Sequence, residues 1–391
     1  MFSHYTKSLL IAALLLCPSL AQAQESGFEW SGFGRVVAGY LAEDGMIYGG
    51  YDDELSLKPN SLLGLQGEWQ FDSKLSLVGQ AVLTASDQRD SDIEWLYLNY
   101  RLNDHWQVKF GQLNTPFFSY SDVQDVGYAY HWVQLPIEAY PEFLFKKYRG
   151  ASIRFTPAFE RVALDVETYY GSMNDTASVR GNQVDIDLSQ IYGVIAKLSY
   201  DKYRLSASYH KGEFSYDVPR LNEVRTILTA VGFNTLANQF MSDGTGEYYQ
   251  LGLSYDDLNV FARSEITYIA QTTNTIADYL SYYLIAGYVF DPVSVYVSFA
   301  ERTSEEYSII NTVPKGVTPQ LDELSIGVDA LIDSFAINNR SLSIGARFDS
   351  NNNVAFKVEV KKIRGNDFQF DSPLVTKGSA VLLLTSVEWV F

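Results

Sequence analysis

Arg35, Lys109, Arg154, Arg204, Arg263, Arg347 and Lys357 fall at positions that a period of two sets opposite runs of apolar side chains. The same face carries Arg101, Arg161, Lys197, Arg302 and Lys361, together with the acids Glu68, Glu94, Asp165, Glu167, Glu265, Asp349, Glu359 and Glu388. Charges arranged this way do no covalent chemistry, but around a water-filled space they decide which ions enter. Lys109 and Arg154 are the sharpest pair, on neighbouring strands that flank one long loop. They could form a basic wall opposite Asp122 and Asp125 of that loop, with a transverse field between them. Each charge could equally be an ordinary solvated group neutralised by a cross-strand partner.

Covalent catalysis has little to work with. The histidines after the N-terminal segment are His105 in a short turn, His131 in the long loop and His210 on a strand. His210 near Asp217 is the one base and orienter that spacing suggests, and no nucleophile accompanies it. Asp87, Asp90 and Asp92 have the spacing of a calcium loop without its glycine and distal glutamate, so a solvated hairpin tip is the better reading. No phosphate-cradling glycine loop or basic run for nucleic acid occurs. We expect no cofactor and no metal.

The elements that must hold these charges are strands. Apolar sets at a spacing of two include Phe28, Trp30, Val36, Ala38 and Tyr40, then Leu63, Leu65, Trp69 and Phe71, then Leu96, Leu98, Tyr100 and Leu102. At the far end Val381, Leu383, Val387, Trp389 and Phe391 face one way, and Ser386 and Glu388 the other. Apolar side chains toward lipid, polar ones toward a lumen and an aromatic at the interface describe a transmembrane β-barrel. Tyr (28), Phe (23) and Gly (27) are abundant while Met (4) is scarce. Mean hydropathy is near neutral, as half-polar strands require. Connections alternate between tight polar turns, such as Asp72-Ser-Lys74 and Asn103-Asp-His105, and long loops.

Candidate strands begin near residues 27, 61, 75, 93, 106, 148, 161, 191, 203, 246, 259, 281, 293, 322, 340, 354 and 379. A single-chain barrel with both termini on one side needs an even number. The weakest candidate is Leu321 to Phe335, where Leu321, Leu324, Val328, Leu331 and Phe335 also fit a helical stripe. Parity makes 322–335 a helix within a long external loop and leaves sixteen strands. The stretch 221–240, with Leu221, Val224, Leu228 and Val231 at helical spacing, predicts a second packed loop helix.

The N-terminus has the pattern of an export signal. Lys7 precedes a short apolar run, Leu9 to Leu16, and Ala21-Gln22-Ala23 offers a cleavage site. We expect 1–23 to be removed and 24–391 to be one barrel domain. Cys17 would leave with the signal, and Leu16 before it argues against lipid attachment. A chain without thiols forms no disulfide and no thiolate metal site. No stretch reaches the ~18 apolar residues of a membrane helix.

Four segments carry a resemblance to a family: Phe110-Gly-Gln-Leu-Asn-Thr-Pro116, Asp125-Val-Gly-Tyr-Ala129, Gly345-Ala-Arg-Phe-Asp349 and Phe356-Lys-Val-Glu359. With the terminal Phe391, they resemble Gram-negative outer-membrane porins of the sixteen-stranded diffusion type over essentially the whole mature length. The resemblance implies a trimer in the outer membrane. It also implies that the loop after the fifth strand, 118–147, folds into the lumen as a constriction.

The loop's own residues fit an ordered element. It is far longer than the usual ~4 to 6 residues, and Tyr120, Tyr128, Tyr130, Trp132, Tyr140, Phe143 and Phe145 can pack. It could equally serve as an aromatic plug or a trimer contact. Charge supplies a further constraint. The whole chain is −18, and loss of Lys7 makes the mature chain −19. The long loops alone hold 27 acidic and 9 basic residues. The acidity therefore belongs to the external rim, where it attracts cations over about a Debye length of ~10 Å.

The expected function is passive diffusion of small hydrophilic solutes and ions. Two alternatives stay open: a substrate-specific channel, possibly for anions, with Arg35, Lys109, Arg154, Arg204, Arg263 and Arg347 as a binding track, or a plugged structural or adhesive barrel.

Overall fold

The computed structural model describes residues 27–141, 146–179, 182–305, 309–370 and 377–391. The expected signal peptide, 1–23, lies outside them, as do Glu142, Phe143 and Phe145. The barrel opens with β1 (Phe28–Leu41), β2 (Leu62–Gln70), β3 (Leu75–Thr84), β4 (Asp92–Arg101) and β5 (Trp106–Asn114). It continues through β6 (Lys147–Phe155), β7 (Ala163–Val179), β8 (Asn182–Tyr200), β9 (Tyr203–Asp217), β10 (Asp243–Asp256) and β11 (Val260–Gln271). It ends with β12 (Tyr279–Val289), β13 (Val293–Ser304), β14 (Asn339–Ser350), β15 (Val354–Gly365) and β16 (Gly378–Val390). Each strand is antiparallel to its neighbours, and β1 closes on β16 from Phe33 opposite Val390 to Leu41 opposite Leu382. Backbone bonds of 2.8 and 2.9 Å between Gly32 and Phe391 complete the seam.

Alternation explains both faces. On β14 Ile344 is 64% exposed on the outside, while Ser343 beside it is 3% exposed on the inside. Val358 and Lys357 on β15 repeat the contrast at 55% and 1%. Each such apolar side chain would lose roughly 1.5–3 kcal/mol in water, so this exterior calls for lipid. Closure leaves no edge strand with unpaired backbone groups, the condition for strands to cross a bilayer. Aromatic belts ring both rims, with Trp106 stacked on Phe155 at one end and Tyr209 against Tyr249 at the other. Among the described residues no helix is long and apolar enough to cross.

Turn chemistry sets the short-turn end. The Asp72 carboxylate accepts from the backbone N–H of Lys74 (2.7 Å) and Leu75 (2.9 Å), and the Asn103 side chain does the same for His105 and Trp106. At the long-loop end, α1 (Pro219–Ala230) and α2 (Asn234–Ala237) follow β9, and α3 (Pro319–Asp333) follows β13. Leu221, Leu228 and Phe240 pack against Val328, Leu331 and Ile332, so two loops form one external cluster. The helix expected at 322–335 is α3, its start moved to Pro319 by a Thr318 cap that accepts from Leu321 N–H.

One expected loop is not a loop. The strand candidates at 161 and 191 leave 173–190 as a long loop, whereas β7 runs to Val179 and β8 starts at Asn182, forming the longest hairpin in the barrel. The outer part of that hairpin is polar on the face turned away from the lumen, while Met173, Val184 and Leu188 on the other face are buried. Asn174 bonds Asp187 and Thr176 bonds Asp185, each at 2.9 Å. A strand beyond the membrane has no lipid face, so the alternation there is reversed, with the apolar set Val184, Ile186 and Leu188 turned inward and Asp185 and Asp187 outward.

Candidate functional site

The segment between β5 and β6 folds into the lumen. Its Ser119 N–H donates to both Glu265 oxygens at 3.3 Å, and the Tyr140 hydroxyl donates to the same carboxylate at 3.0 Å. Trp132 Nε1 donates to Ser298 Oγ (3.0 Å), and Val133 N–H donates to Glu359 (2.9 Å). Tyr48 reaches down from the first external loop to Glu138 (3.2 Å). Phe118, Tyr120, Tyr130, Trp132 and Tyr140 meet edge to face or tilted, which gives the segment an aromatic core.

Much of the basic face is spent on holding this loop. Lys357 Nζ donates to the carbonyls of Gly127 (2.8 Å), Tyr130 (2.7 Å) and Trp132 (2.9 Å), and pairs with Glu388 at 2.6 Å. Arg347 donates to the carbonyls of Tyr128 and Tyr130 and pairs with Asp349 at 2.7 Å. Arg35 donates to Asn60 O and to the Tyr130 hydroxyl, and Arg302 donates to the carbonyls of Ile137 and Glu138. A buried cation is tolerated when its donors are satisfied, and here loop carbonyls satisfy them. Gly127 explains part of the motif that contains it. A Cβ there would lie 2.8 Å from the Glu388 carboxylate, so only glycine lets the loop backbone settle onto the Lys357–Glu388 pair.

The β3–β8 arc is less filled. A cavity of about 510 Å³ opens beside Arg89, Asp92, Lys146 and Lys147. It shares Glu94, Gln124, Asp125 and Lys146 with a cleft of about 20 Å³. That cleft shares Trp95, Asn114 and Asp122 with a chamber of about 140 Å³, which Lys109, Arg154, Lys197, Asp165 and Glu167 also line. The three spaces adjoin one another beside the loop, and the narrow cleft in the middle, the neck, has room for about one water.

Arg89 bridges the neck. It donates to Asp125 on the loop at 2.7 Å and to Glu94 on the wall at 2.5 Å. Burial would raise the Asp125 carboxyl, but Lys146 and Arg89 outweigh it and hold the group below the usual carboxylate range. Glu94 has the same parity as the outward Leu96 and Leu98, and it reaches the lumen because β4 bulges where its register on β3 shifts.

The expected residues therefore separate. Lys109, Arg154 and Asp122 come together in the inner chamber, while Asp125 sits apart on Arg89 and Lys146. Arg154 pairs with Glu167 (2.6 Å) and Asp165 (3.5 Å). Arg263 pairs with Asp256 and touches His131 (3.3 Å), and Arg204, exposed at the short-turn mouth, donates to Ser199. Arg347 and Lys357 face the loop backbone, and Arg35 faces the Tyr130 hydroxyl. Arg89, Lys146 and the ring of Trp95 escaped the sequence reading. Arg89 lies 36 residues from Asp125, in what reads locally as a solvated hairpin tip.

The histidines and the acidic triplet are dispersed. His131 stacks on Phe261 and is held neutral, its pKa lowered to about 3 by burial and by Arg263. His210 Nδ1 and the Tyr169 hydroxyl share a hydrogen bond of 2.7 Å, whereas Asp217 accepts from Asn222. Asp87 pairs with Lys58 and Asp92 with Lys147.

A closed sixteen-strand barrel with an apolar exterior, a folded-in loop and charged lumen cavities is a membrane channel of the diffusion class. The chain belongs to the Gram-negative porin family, whose sequence profile matches residues 10–367. It is an outer-membrane channel for passive diffusion of small hydrophilic solutes. Solved structures share the fold at low identity. The Salmonella typhi OmpF complex with daunomycin is 13% identical, with TM-score 0.57 over 94% of this chain and 98% of that one. An anion-selective porin from Comamonas acidovorans is 10% identical, with TM-score 0.57 over 94% and 100%. OmpT of Vibrio cholerae, in trimer form, is 10% identical, with TM-score 0.56 over 94% and 100%. No curated protein matches the chain.

Proposed function

We propose that solutes and ions cross by the passage between the folded-in loop and the β3–β8 wall, sorted at two successive charged sites. The neck is framed by Arg89, Glu94, Asp125 and Lys146, and the chamber below it by Lys109, Arg154, Lys197 and Asp122. The observation that carries this reading is that the three cavities lie in succession along this arc, each sharing lining residues with the next. The functional unit is a homotrimer, a reading supported by membership of the porin family and by the trimeric relative in fold. Removal of residues 1–23 precedes insertion.

Single-channel recording of the purified protein in planar bilayers tests the reading. Ohmic conductance in potassium chloride supports diffusion, and absence of conductance would leave a plugged barrel. The double variant Lys109→Glu/Arg154→Glu should move the reversal potential toward cation preference, by roughly fivefold or more in permeability ratio. An unchanged ratio in a folded double variant would remove these two residues from ion selection.

A further inference from the structure

The inner chamber holds a carboxylate of the protein's own where a solute carboxylate would fit. Lys109, Arg154 and Lys197 come from three different strands, β5, β6 and β8, and line one cavity with the rings of Trp95 and Tyr97. Arg154 is spent on the wall acids Glu167 and Asp165. Lys109 makes no ion pair among the described residues and stands 5.5 Å above the Tyr97 ring. Lys197 has one ionic partner among them, Asp122, at 3.4 Å.

Asp122 hangs into this group from the short helical turn Ser121–Val123 of the folded-in loop. Its side chain is 55% exposed, and its contacts are long, 3.4 Å to Lys197 and 3.5 Å from Asn114. Charge-assisted bonds normally close to ≈ 2.7–2.9 Å. A loosely seated carboxylate between cations, open to water on one side, behaves as a tethered counter-ion. It is replaceable by a free group of the same chemistry. Asp125 offers a contrast on the same loop, gripped by Arg89 at 2.7 Å.

We propose that the chamber is a binding site for small monocarboxylates, and that Asp122 is a tethered competitor which keeps their affinity low enough for passage. The inference rests on the diffusion reading above. A solute carboxylate would take the Asp122 position between Lys109 and Lys197, and the Trp95 and Tyr97 rings would favour an aromatic acid over acetate by stacking. Conduction needs binding that admits the solute and also releases it, and an internal competitor supplies the release.

The test is block of potassium chloride current by added sodium benzoate or sodium acetate, with choline chloride as the cationic control. Asp122→Asn should strengthen benzoate block by about tenfold, the worth of one charge-assisted bond. Asp122→Glu should keep block near the wild-type value. In the Asp122→Asn background, Lys109→Gln should remove the gain, and benzoate should exceed acetate throughout. The idea is overturned if Asp122→Asn leaves benzoate block unchanged, or if the gain survives Lys109→Gln. Barrel integrity in each variant is read from its heat-dependent gel mobility. Failure of the two readings is distinguishable: loss of all potassium chloride conductance in wild type overturns both, whereas normal conductance without the Asp122 effect overturns this one alone.

Discussion

Two regions of one lumen use the same residue types for opposite work. Along β13 to β16 and β1, Arg302, Arg347, Lys357 and Arg35 donate to the folded-in loop and are screened from water by it. Along β5 to β8, Lys109, Arg154 and Lys197 line an open chamber. The difference is the acceptor. Loop carbonyls turn a cation into an anchor, while around the chamber Arg154 meets wall acids, Lys197 only the loosely seated Asp122, and Lys109 no ionic partner among the described residues. A charge on an inward face therefore acquires its role from what lies across from it.

Lys357→Met breaks the anchored side hardest. It removes the donor of three carbonyl bonds and strands Glu388, whose side chain is fully buried. Removing one partner of such a pair costs about 3–5 kcal/mol. We expect a larger, noisier single-channel conductance as the loop leaves the wall, with the barrel intact by gel mobility. Conductance equal to wild type would mean that the anchored and open sides do not differ as argued.

Arg89→Gln probes the boundary between the two regions. It unlinks Asp125 from Glu94 and leaves two carboxylates in the neck, worth about 1–3 kcal/mol locally. Cation preference should rise, by less than in the Lys109/Arg154 double variant. The Asp125 carboxyl is held below its ordinary value of 3.8, so it binds protons less readily in the folded state. Its contribution is then complete above that value and is lost only as pH falls through the lower folded value. In Glu94→Gln, which removes the other carboxylate on Arg89, ion preference should stay level from neutral pH down to about 4. A drop in preference between pH 6 and about 4 would show that Asp125 is not gripped as described.

The smallest effect belongs to the rim. Lys58 and Asp87 pair at 2.9 Å with side chains 63% and 76% exposed, and such pairs are worth about 0–1 kcal/mol. Lys58→Gln should change neither stability nor selectivity measurably. A clear change would mean that external loops, and not the lumen, control entry.

Much of the barrel was legible in the chain. Strict alternation in segments such as Leu342 to Arg347 marks strands whose two faces meet different solvents. Parity together with a helical stripe identified α3. The outer hairpin of β7 and β8 was not legible, because Asn174, Thr176, Asp185 and Asp187 stand on the face where the membrane-spanning strands carry lipid-facing apolar side chains. Glu94 was assigned inward although its parity with Leu96 points outward, and only the β4 bulge reconciles the two. Arg89 gave no local signal, since its partner Asp125 is brought to it by the folding of another loop.

The sequence by itself determined the membrane address, the strand face of charges such as Lys109, Arg154, Arg347 and Lys357, and the presence of a long aromatic segment after β5. These follow from side-chain periodicity and composition, which act locally. Tertiary structure alone decided which cations became anchors, where the lumen cavities lay and that Asp122, not Asp125, shares a chamber with Lys109 and Arg154. The physical reason is that the loop crosses the lumen as one packed body. Its carbonyls and carboxylates meet wall residues up to 230 positions away, and no local pattern records such pairings.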